Sequence, residues 1–547
     1  MNKKRWFPIA LAMLTLGACS DDNLSDYENG QPQWNAEGQG YVTLALNLPT
    51  TPSVSRANDN FNDNFEDGEA SEYAVNNAKL LVFTGADESS ATFHSAYELD
   101  LNNWNSVTDD PNQITVATEI TQLINNFDTE STDAFALVVL NDNGLITIAD
   151  NGTTVAGHAL TAGTTTWTDV QKYTIKNNTM TGSGITMLNA ALTATQGGDE
   201  LASAPSGTHT ILAKIDESAI YPTAGEAAGN PAATIYVERA VAKVSVGATN
   251  DRGSLNEGQS NELNYTIEGW VLDITNKTSY FGHNVQDSWL GLKSGGLKDY
   301  RFAGKAAVES GMTTPLYRLY WAEDPNYDDV DTYGTDAFNT LTAMEGATFN
   351  NLGAYAYCLE NTFDVNNMSE DQSTRVIVRA KFTNGTFYTL GQNTDVIYTE
   401  TTMPDLFKSR LLSNPGFIAW VAENIDGTVD GDNIELTFKD MSGKGGKMEV
   451  EEIELINVNY QSGHNEEDFV SGEWVGVVNA GNDINKYEGG YAYYPVIIQH
   501  FGDDLTPWNT GESWETPAPA NGVAYPAGPD RDGNYLGRYG VVRNNWY

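Results

Sequence analysis

Cysteine is almost absent from this chain of 547 residues, which contains only Cys19 and Cys358. Two cysteines cannot form the disulfide framework typical of a small secreted domain. Cys358 lies in the apolar stretch AYAYCLEN, and no motif places a base beside it. We therefore expect Cys358 to be a small core residue in a strand rather than a nucleophile.

Basic residues are also scarce, because 29 Lys and Arg stand against 74 Asp and Glu, for a formal net charge of −45. Residues 1–56 hold only four of these basic and five of these acidic residues, so the charge belongs to the body of the chain. Such a surface repels phosphate backbones and argues against a nucleic-acid partner. Solubility outside the cell is the favoured interpretation, and a calcium-binding surface stays open as the alternative.

Catalytic and metal-binding motifs are missing as well. No two histidines stand at ligand spacing, and HExxH, paired CxxC and GxSxG motifs do not occur. The many carboxylates leave a glycosidase pair possible, but nothing selects two of them. The run Asp426–Gly431 resembles a calcium loop, yet its twelfth position is Thr437 instead of a bidentate Glu, so an acidic turn is favoured. We expect no enzyme, no cofactor and no resident metal.

Long apolar runs are absent too, and the only notable one is short and N-terminal. Residues 9–16 are apolar except for Thr15, follow a basic Lys3–Arg5 segment and run into LGAC, which ends at Cys19. A largely apolar stretch of eight residues is too short to span a bilayer, whereas this order is typical of a cleaved signal. Residues 1–19 are therefore predicted to be a lipoprotein signal peptide with a lipobox, and Cys19 the lipidated (palmitoylated) residue.

A spacer and one strand come next, in residues 20–56. Residues 20–40 are polar, and the stretch YVTLALNLP then alternates strictly. Arg56 is the only basic residue of the acidic stretch 50–72, and it should be exposed. This order predicts a propeptide whose strand can be removed by proteolysis between Arg56 and Ala57. Its apolar face consists of Val42, Leu44, Leu46 and Leu48, and Thr43, Ala45 and Asn47 form the other face.

The rest of the chain reads as many short strands with turns between them. The polar segment 247–262 is the best linker, so we predict two tandem domains, 57–250 and 251–547, both all-β sandwiches with a few short helices. Residues 118–127 and 405–414 are candidate helices, the second with Asp405 as its N-cap. The clearest strands are 78–85, 135–142, 209–216, 234–246, 264–277 and 374–382, and 434–456 reads as a hairpin.

Aromatic residues are concentrated near the C-terminus. An exposed aromatic platform there would suit sugar binding, but packing on strand faces is favoured. The residues are Tyr491, Tyr493, Tyr494, Trp508, Trp514, Tyr525, Tyr535, Tyr539, Trp546 and Tyr547.

Several of these motifs, in this order, resemble the fimbrillin family of Bacteroidales, and within it the type V pilins that form the major subunit of short fimbriae. They are the lipobox with its acidic follow-on CSDD, the strand with Arg56, AKLLVF, ALVVLN, VERAVAKV and the terminal YYPVIIQHF…GRYGVVRNNWY. The resemblance implies two Greek-key, transthyretin-like sandwiches. It also implies export as an outer-membrane lipoprotein, cleavage after Arg56 by an arginine-specific protease, and polymerisation by donor-strand exchange with copies of itself.

The resemblance further implies a location on the cell surface in a fimbrium, with tip and anchor subunits as partners and a role in adhesion and biofilm formation. Related shaft subunits usually continue past the terminal stretch with another strand, so two alternatives stay open. Either Gly537–Tyr547 is the donor, with Tyr539, Val541, Val542, Trp546 and Tyr547 as its candidate residues, or the chain as given lacks its last strand. A fimbrial tip or anchor subunit and a surface glycan-binding lipoprotein are the competing functions; the host or bacterial ligand is not specified by the sequence.

Overall fold

A computed structural model gives the architecture of most of the chain. It describes residues 32–49, 72, 74–103, 115–128, 132–176, 183–193, 209–255, 257–258, 262–285, 303–307, 316–319, 321–327, 337–341, 343–344, 346–362, 372–383, 385–391, 393–441, 446–481, 483–500 and 539–547.

The chain is mostly β-sheet, as predicted. The strands of the first 250 residues are β1 (Gln39–Pro49), β2 (Ala78–Gly85), β3 (Thr92–Glu98), β4 (Thr115–Asn125), β5 (Asp133–Leu140), β6 (Ile146–Ala149), β7 (Gly152–Val155), β8 (His158–Leu160), β9 (Thr174–Lys176), β10 (Met187–Asn189), β11 (Leu192–Thr193), β12 (His209–Thr210), β13 (Ala213–Lys214), β14 (Pro231–Arg239) and β15 (Ala242–Ser245).

The later strands are β16 (Arg252–Leu255), β17 (Leu263–Asp273), β18 (Thr275–Asn276), β19 (Thr278–Tyr280), β20 (Ala303–Ala307), β21 (Leu316–Leu319), β22 (Phe338–Asn339), β23 (Tyr355–Cys358), β24 (Arg375–Phe382), β25 (Phe387–Leu390), β26 (Asn393–Tyr398), β27 (Ile434–Asp440), β28 (Lys447–Leu455), β29 (Ile484–Tyr487) and β30 (Tyr491–Ile497). The helices are α1 (Trp167–Gln171), α2 (Ala224–Ala227), α3 (Thr402–Ser413), α4 (Pro415–Asn424) and α5 (Ser471–Asn479).

The largest sheet of the described residues has eight strands and contains β1. Its order is β3-β2-β5-β10-β14-β1-β4, and β13 pairs with β5 beside this path. Strand β1 is antiparallel to β4 and parallel to β14. Because β4 is the last strand in this order, β1 is its link to the rest of the sheet.

Both faces of this sheet are buried. In β5, Leu137 and Val139 face one hydrophobic cluster, whereas Ala136 and Val138 face another. All four side chains are fully buried, since successive residues of a strand point to opposite faces. The sheet therefore forms the middle layer between two cores, which explains the nearly continuous apolar sequences of β2 and β5.

A second structural region combines a five-stranded sheet with helices. The strand order is β26-β25-β29-β28-β27, and α3, α4 and α5 supply buried residues to the same core. Asn414 caps α4 by accepting hydrogen bonds from the backbone N–H groups of Gly416 (2.9 Å) and Phe417 (3.1 Å), and Pro415 occupies the first turn. The predicted hairpin is confirmed, because β27 and β28 pair antiparallel.

Two local predictions were wrong. Residues 118–127 belong mostly to strand β4, which pairs with β1 over eleven residues. The spacing of Ile120 and Ile124 matches a helical face, but pairing with β1 decides the conformation, and both side chains are buried against the core. The second predicted helix exists but begins at Thr402, so Asp405 lies in its first turn and not at its N-cap.

The segment 234–246 is also not one strand. It divides at residues 240–241 into β14, in the large sheet, and β15, which pairs with β23. Part of the predicted linker forms β16, which pairs with β17. The core shared with β5 also contains Phe281, Leu319 and Leu359, all from beyond residue 250. The domain boundary at 250 and the two sandwiches remain predictions.

Glu88 makes folding of the large-sheet region sensitive to pH. Its carboxylate accepts hydrogen bonds from the Trp167 indole N–H at 3.2 Å and from the backbone N–H groups of Ile211 (3.0 Å) and Leu212 (3.2 Å). Burial raises the pKa of Glu88 from 4.5 to about 7, although these hydrogen bonds act in the opposite direction. Between these values the folded chain binds a proton that the unfolded chain has lost.

We expect Glu88 to cause stability to fall as the pH rises through this window. The expected loss between about pH 5 and about pH 7.5 is roughly 1–3 kcal/mol more in the wild type than in Glu88→Gln, which has no proton to lose. Urea unfolding of both proteins at the two pH values measures this difference. An identical pH dependence in both proteins would contradict the assignment.

Candidate functional site

The predicted site residues divide into three groups in the structure. Cys19, Arg56 and Ala57 lie outside the described residues, so lipidation and cleavage remain predictions. The predicted removable strand is β1. The candidate donor residues lie in the described segment 539–547.

Strand β1 is completely built into the large sheet. Val42, Leu44, Leu46 and Leu48 are fully buried and belong to one core with residues of β2, β4, β5 and β14. The ladder with β4 joins eleven residue pairs, and the ladder with β14 joins five, with an irregularity between Thr43 and Leu44. The sequence pattern correctly predicted which side chains share a face; it did not predict that the strand has a neighbour on each side.

The chain before β1 is docked as well. The backbone N–H of Gln33 donates to the carbonyl of Ile220 at 3.0 Å, and Tyr41 exchanges two backbone hydrogen bonds with Tyr221. Gly40 lies so close to Ile220 that an added Cβ would come within 2.5 Å of its side chain. The segment that a protease would remove therefore contacts the body from residue 33 to the end of β1.

The second face of β1 carries polar side chains that are buried too. The Thr43 hydroxyl lies 2.8 Å from the Thr121 hydroxyl and donates to the carbonyl of Ala227 at 2.9 Å. Asn47 is 1% exposed, and neither its amide nitrogen nor its amide oxygen has a hydrogen-bond partner. Sequence alternation assigned these residues to a second face but gave no sign that this face is buried.

The candidate donor segment occupies a position within its own chain. Val541 pairs with Asn361, and Trp546 pairs with Lys243 of β15. Val541 and Val542 are fully buried, and Tyr539 is 8% exposed. The Tyr547 hydroxyl contacts His500 and accepts a hydrogen bond from the backbone N–H of Val542 at 3.0 Å. The structure thus gives this segment an intrachain role, and its role as a donor stays a prediction.

Arg543 anchors this segment in a buried polar cluster. Its guanidinium is fully buried, donates to the carbonyls of Tyr280 (2.9 Å) and Phe281 (3.2 Å), and forms an ion pair with Glu360. Burial alone would raise the pKa of Glu360, but Arg543 and His283 outweigh it and hold the pKa below its ordinary value.

The same cluster reaches strand β14 and the segment after β21. His283 Nδ1 lies 3.0 Å from a carboxylate oxygen of Glu238, which is part of β14. Burial raises the pKa of Asp324 to about 8, against the hydrogen bonds that it accepts from Asn326 and Asn276. The cluster therefore connects the C-terminal segment with a strand that borders β1. The residues are scattered over the sequence, so no local motif could have revealed it.

A second buried ion cluster surrounds Glu72. Its carboxylate is 3.5 Å from Arg239 and 3.2 Å from Lys243, and the Tyr357 hydroxyl donates to it. The Lys243 ammonium also lies 4.0 Å from the centre of the Trp546 ring. Glu72 thus fixes the last residue of the acidic stretch 50–72 in a buried site next to the C-terminal segment.

The other predicted features have structural roles where they are described. Cys358 is buried in β23, and burial raises its pKa to about 12. Asp430, in the calcium-like run, caps a 3-10 turn by accepting the backbone N–H of Asp432 at 2.9 Å. The described residues contain no group of three or more His, Cys, Asp or Glu placed to hold a metal ion. They also contain no helix that is long and apolar enough to cross a membrane.

The aromatic residues of β30 form a mixed surface. Tyr491 and Tyr493 stack with their ring centres 6.5 Å apart, and the Lys381 ammonium lies 3.7 Å from the centre of the Tyr491 ring. Tyr494 is 49% exposed. Trp508, Trp514, Tyr525 and Tyr535 lie outside the described residues, so the choice between strand-face packing, which the sequence favoured, and a sugar-binding platform remains a prediction.

Comparisons with known proteins give no family assignment. No protein-family model and no curated protein match the chain. Among solved structures, it matches the crystal structure of a candidate cell adhesion protein from Parabacteroides distasonis, with 13% identity, a TM-score of 0.24, and coverage of 66% of this chain and 82% of that chain. A likeness of this size defines neither the fold nor the function of the chain.

Proposed function

We propose that the chain is a structural subunit of a surface fimbria that loses strand β1 during maturation and accepts a donor strand in its place. The observation that carries the proposal is the position of β1, whose four aliphatic side chains are fully buried between β14 and β4. After cleavage, a strand so placed can leave the sheet without exposing this core only if another strand replaces it.

Free-energy terms favour replacement over an open groove. Each of the four aliphatic side chains contributes about 1.5–3 kcal/mol when fully buried. Removal of β1 would also expose the hydrogen-bonding edges of β14 and β4, and exposed edges readily pair with other strands. An incoming strand restores both terms by β-augmentation. When each subunit donates to the next, the contact is heterologous and does not close, so a filament results.

Cys19 would carry the lipid that holds the precursor at the outer membrane, and an arginine-specific protease would cut between Arg56 and Ala57. The partners of the mature chain would be further copies of itself together with tip and anchor subunits. The assembled fimbria would act in adhesion and biofilm formation. The acidic surface, with a net charge of −45, suits a location outside the cell and disfavours nucleic acids. The proposal includes no catalytic step.

The source of the donor strand is left open by this proposal. Residues 539–547 would have to abandon the Arg543 cluster and the pairing with β15 in order to donate. A donor strand from another part of a neighbouring subunit avoids this loss. The acceptor role of the groove is the same in both cases.

Replacement of Arg56 by alanine tests the proposal in cells that assemble the filaments. Arg56→Ala subunits should accumulate with residues 39–49 still attached and should form no normal filaments. Arg56→Lys keeps the positive charge and should also fail, because the protease requires arginine. Arg252→Ala, at an exposed arginine, is the matched control and should assemble normally. Normal filaments from Arg56→Ala subunits would overturn the proposal.

Two other functions predict different results. An anchor subunit would keep Cys19 and its lipid, and would be found uncut at the base of filaments. A glycan-binding lipoprotein would also stay uncut and would bind sugar through exposed aromatic residues such as Tyr494. Both predict that Arg56→Ala has no effect.

A further inference from the structure

Asn47 is an anomaly in strand β1. It is 1% exposed, and both polar atoms of its side-chain amide lack hydrogen-bond partners in the structure as described. Its backbone pairs with Tyr236 of β14 and with Ala117 of β4, so the residue has a paired strand on each side. Burying an amide without a partner removes its hydrogen bonds to water and gives none in return, which destabilises the folded state.

The other buried polar side chain on this face has partners. Thr43 donates to the Ala227 carbonyl at 2.9 Å and lies 2.8 Å from the Thr121 hydroxyl. The two side chains therefore have opposite effects on the stability of β1 in the sheet. The hydroxyl of Thr43 helps to hold β1 in the sheet, whereas the amide of Asn47 weakens its hold.

We propose that Asn47 facilitates the displacement of β1, and that the strand which replaces β1 carries an aliphatic residue at this position. Leucine has nearly the shape of asparagine but no polar atoms to desolvate, so it fits the same space without the penalty. The best incoming strand would belong to another subunit. It would match the four aliphatic positions of β1 and carry a hydroxyl at the position of Thr43. This inference rests on the proposed function and identifies which strand the groove prefers.

Asn47 affects strand exchange because it lowers the affinity of β1 for the groove relative to that of a competing strand. After cleavage, β1 is held only by its contacts in the groove, and any competing strand with the same aliphatic pattern meets the same core. The difference between the two strands then lies at position 47. The penalty for one buried, unpaired amide corresponds to a preference on the order of tenfold for the strand without it.

A strand-release experiment tests the inference on the full chain. A recognition sequence for a site-specific protease is placed within residues 50–71, and the purified protein is cut. Release of the N-terminal fragment is then followed after addition of excess peptide with the sequence of residues 39–49. We expect Asn47→Leu to release this fragment on the order of tenfold more slowly than the wild type. Thr43→Val, the matched control on the same face, should release it faster.

A second measurement varies the peptide instead of the protein. The peptide with leucine at position 47 should displace the wild-type fragment more effectively than the natural peptide, again on the order of tenfold in the concentration required. Asn47→Val serves as a second protein variant in case leucine overfills the space. Urea unfolding of the uncut variants confirms that each is folded.

The release experiment distinguishes a failure of the inference about Asn47 from a failure of the proposed acceptor role. Equal release rates for wild type, Asn47→Leu and Asn47→Val would overturn the inference alone. If the cut wild type and every variant kept the fragment against any competing peptide, the acceptor role itself would be wrong, and the inference would fail with it. Slower release in Asn47→Leu with faster release in Thr43→Val supports both.

Discussion

Simultaneous replacement of Leu44 and Leu46 by alanine is expected to abolish most of the stability of the region around the large sheet. Both side chains are fully buried in one core. A buried Leu→Ala change costs about 2–5 kcal/mol, and the two sites together reach the range of the total stability of a domain, about 5–15 kcal/mol. Urea unfolding followed by circular dichroism should show an early transition that the wild type lacks.

The matched control is Val496→Ala on strand β30. This valine is 51% exposed, so its truncation should change the free energy of unfolding by no more than about 0.5 kcal/mol. If the double variant in β1 unfolded like the wild type, β1 would not be a structural part of the sheet, and there would be no groove for a donor strand.

Replacement of Arg543 by methionine is the second change with a large expected effect. The guanidinium is fully buried and is the main counter-charge of Glu360, which is 1% exposed. Removal of one partner from a buried pair leaves the other charge uncompensated and typically costs about 3–5 kcal/mol. The free energy of unfolding of purified Arg543→Met should fall by this amount, with no other subunit present.

Two controls separate this effect from a general loss of charge. Arg252→Met removes an arginine whose side chain is 76% exposed and should cost less than about 0.5 kcal/mol. In a double variant with Glu360→Gln, the loss should be smaller than the sum of the single losses, because the unpaired carboxylate is gone. A loss below about 1 kcal/mol for Arg543→Met would contradict the intrachain role of the C-terminal segment.

Strand β1 and the C-terminal segment 539–547 lie near opposite ends of the described chain, and both are connected to strand β14 of the large sheet. Strand β1 borders β14, and Glu238 of β14 contacts His283 in the cluster that holds Arg543. Glu72 connects Arg239, at the end of β14, with Lys243, which lies over Trp546. Strand β14, which borders β1, and the C-terminal segment are therefore joined by neighbouring buried charges.

Local sequence pattern predicted the elements whose signals are local. The alternation of β1 identified its four core residues, the runs of β2 and β5 marked buried strands, and the hairpin of β27 and β28 was recognised from its turn. Each of these depends on periodicity within about ten residues. The correct faces followed because side chains alternate along a strand.

Features that depend on distant residues were not predicted. Strand β4 looked helical because its pairing partner β1 lies more than 70 residues away in sequence, as the contact between Thr43 and Thr121 illustrates. The burial of Asn47, the Glu72 cluster and the Arg543 cluster all require knowledge of which strands meet. No spacing rule predicts such contacts, since loop length hardly limits which segments pair.

The most direct test of the central claim is the first residue of the protein isolated from cell-surface filaments, determined by mass spectrometry. The proposed maturation predicts that the chain begins at Ala57, so that β1 has been removed and its groove is filled by another strand. A chain that begins at lipidated Cys19 would contradict the proposal, because β1 would still occupy its place in the sheet.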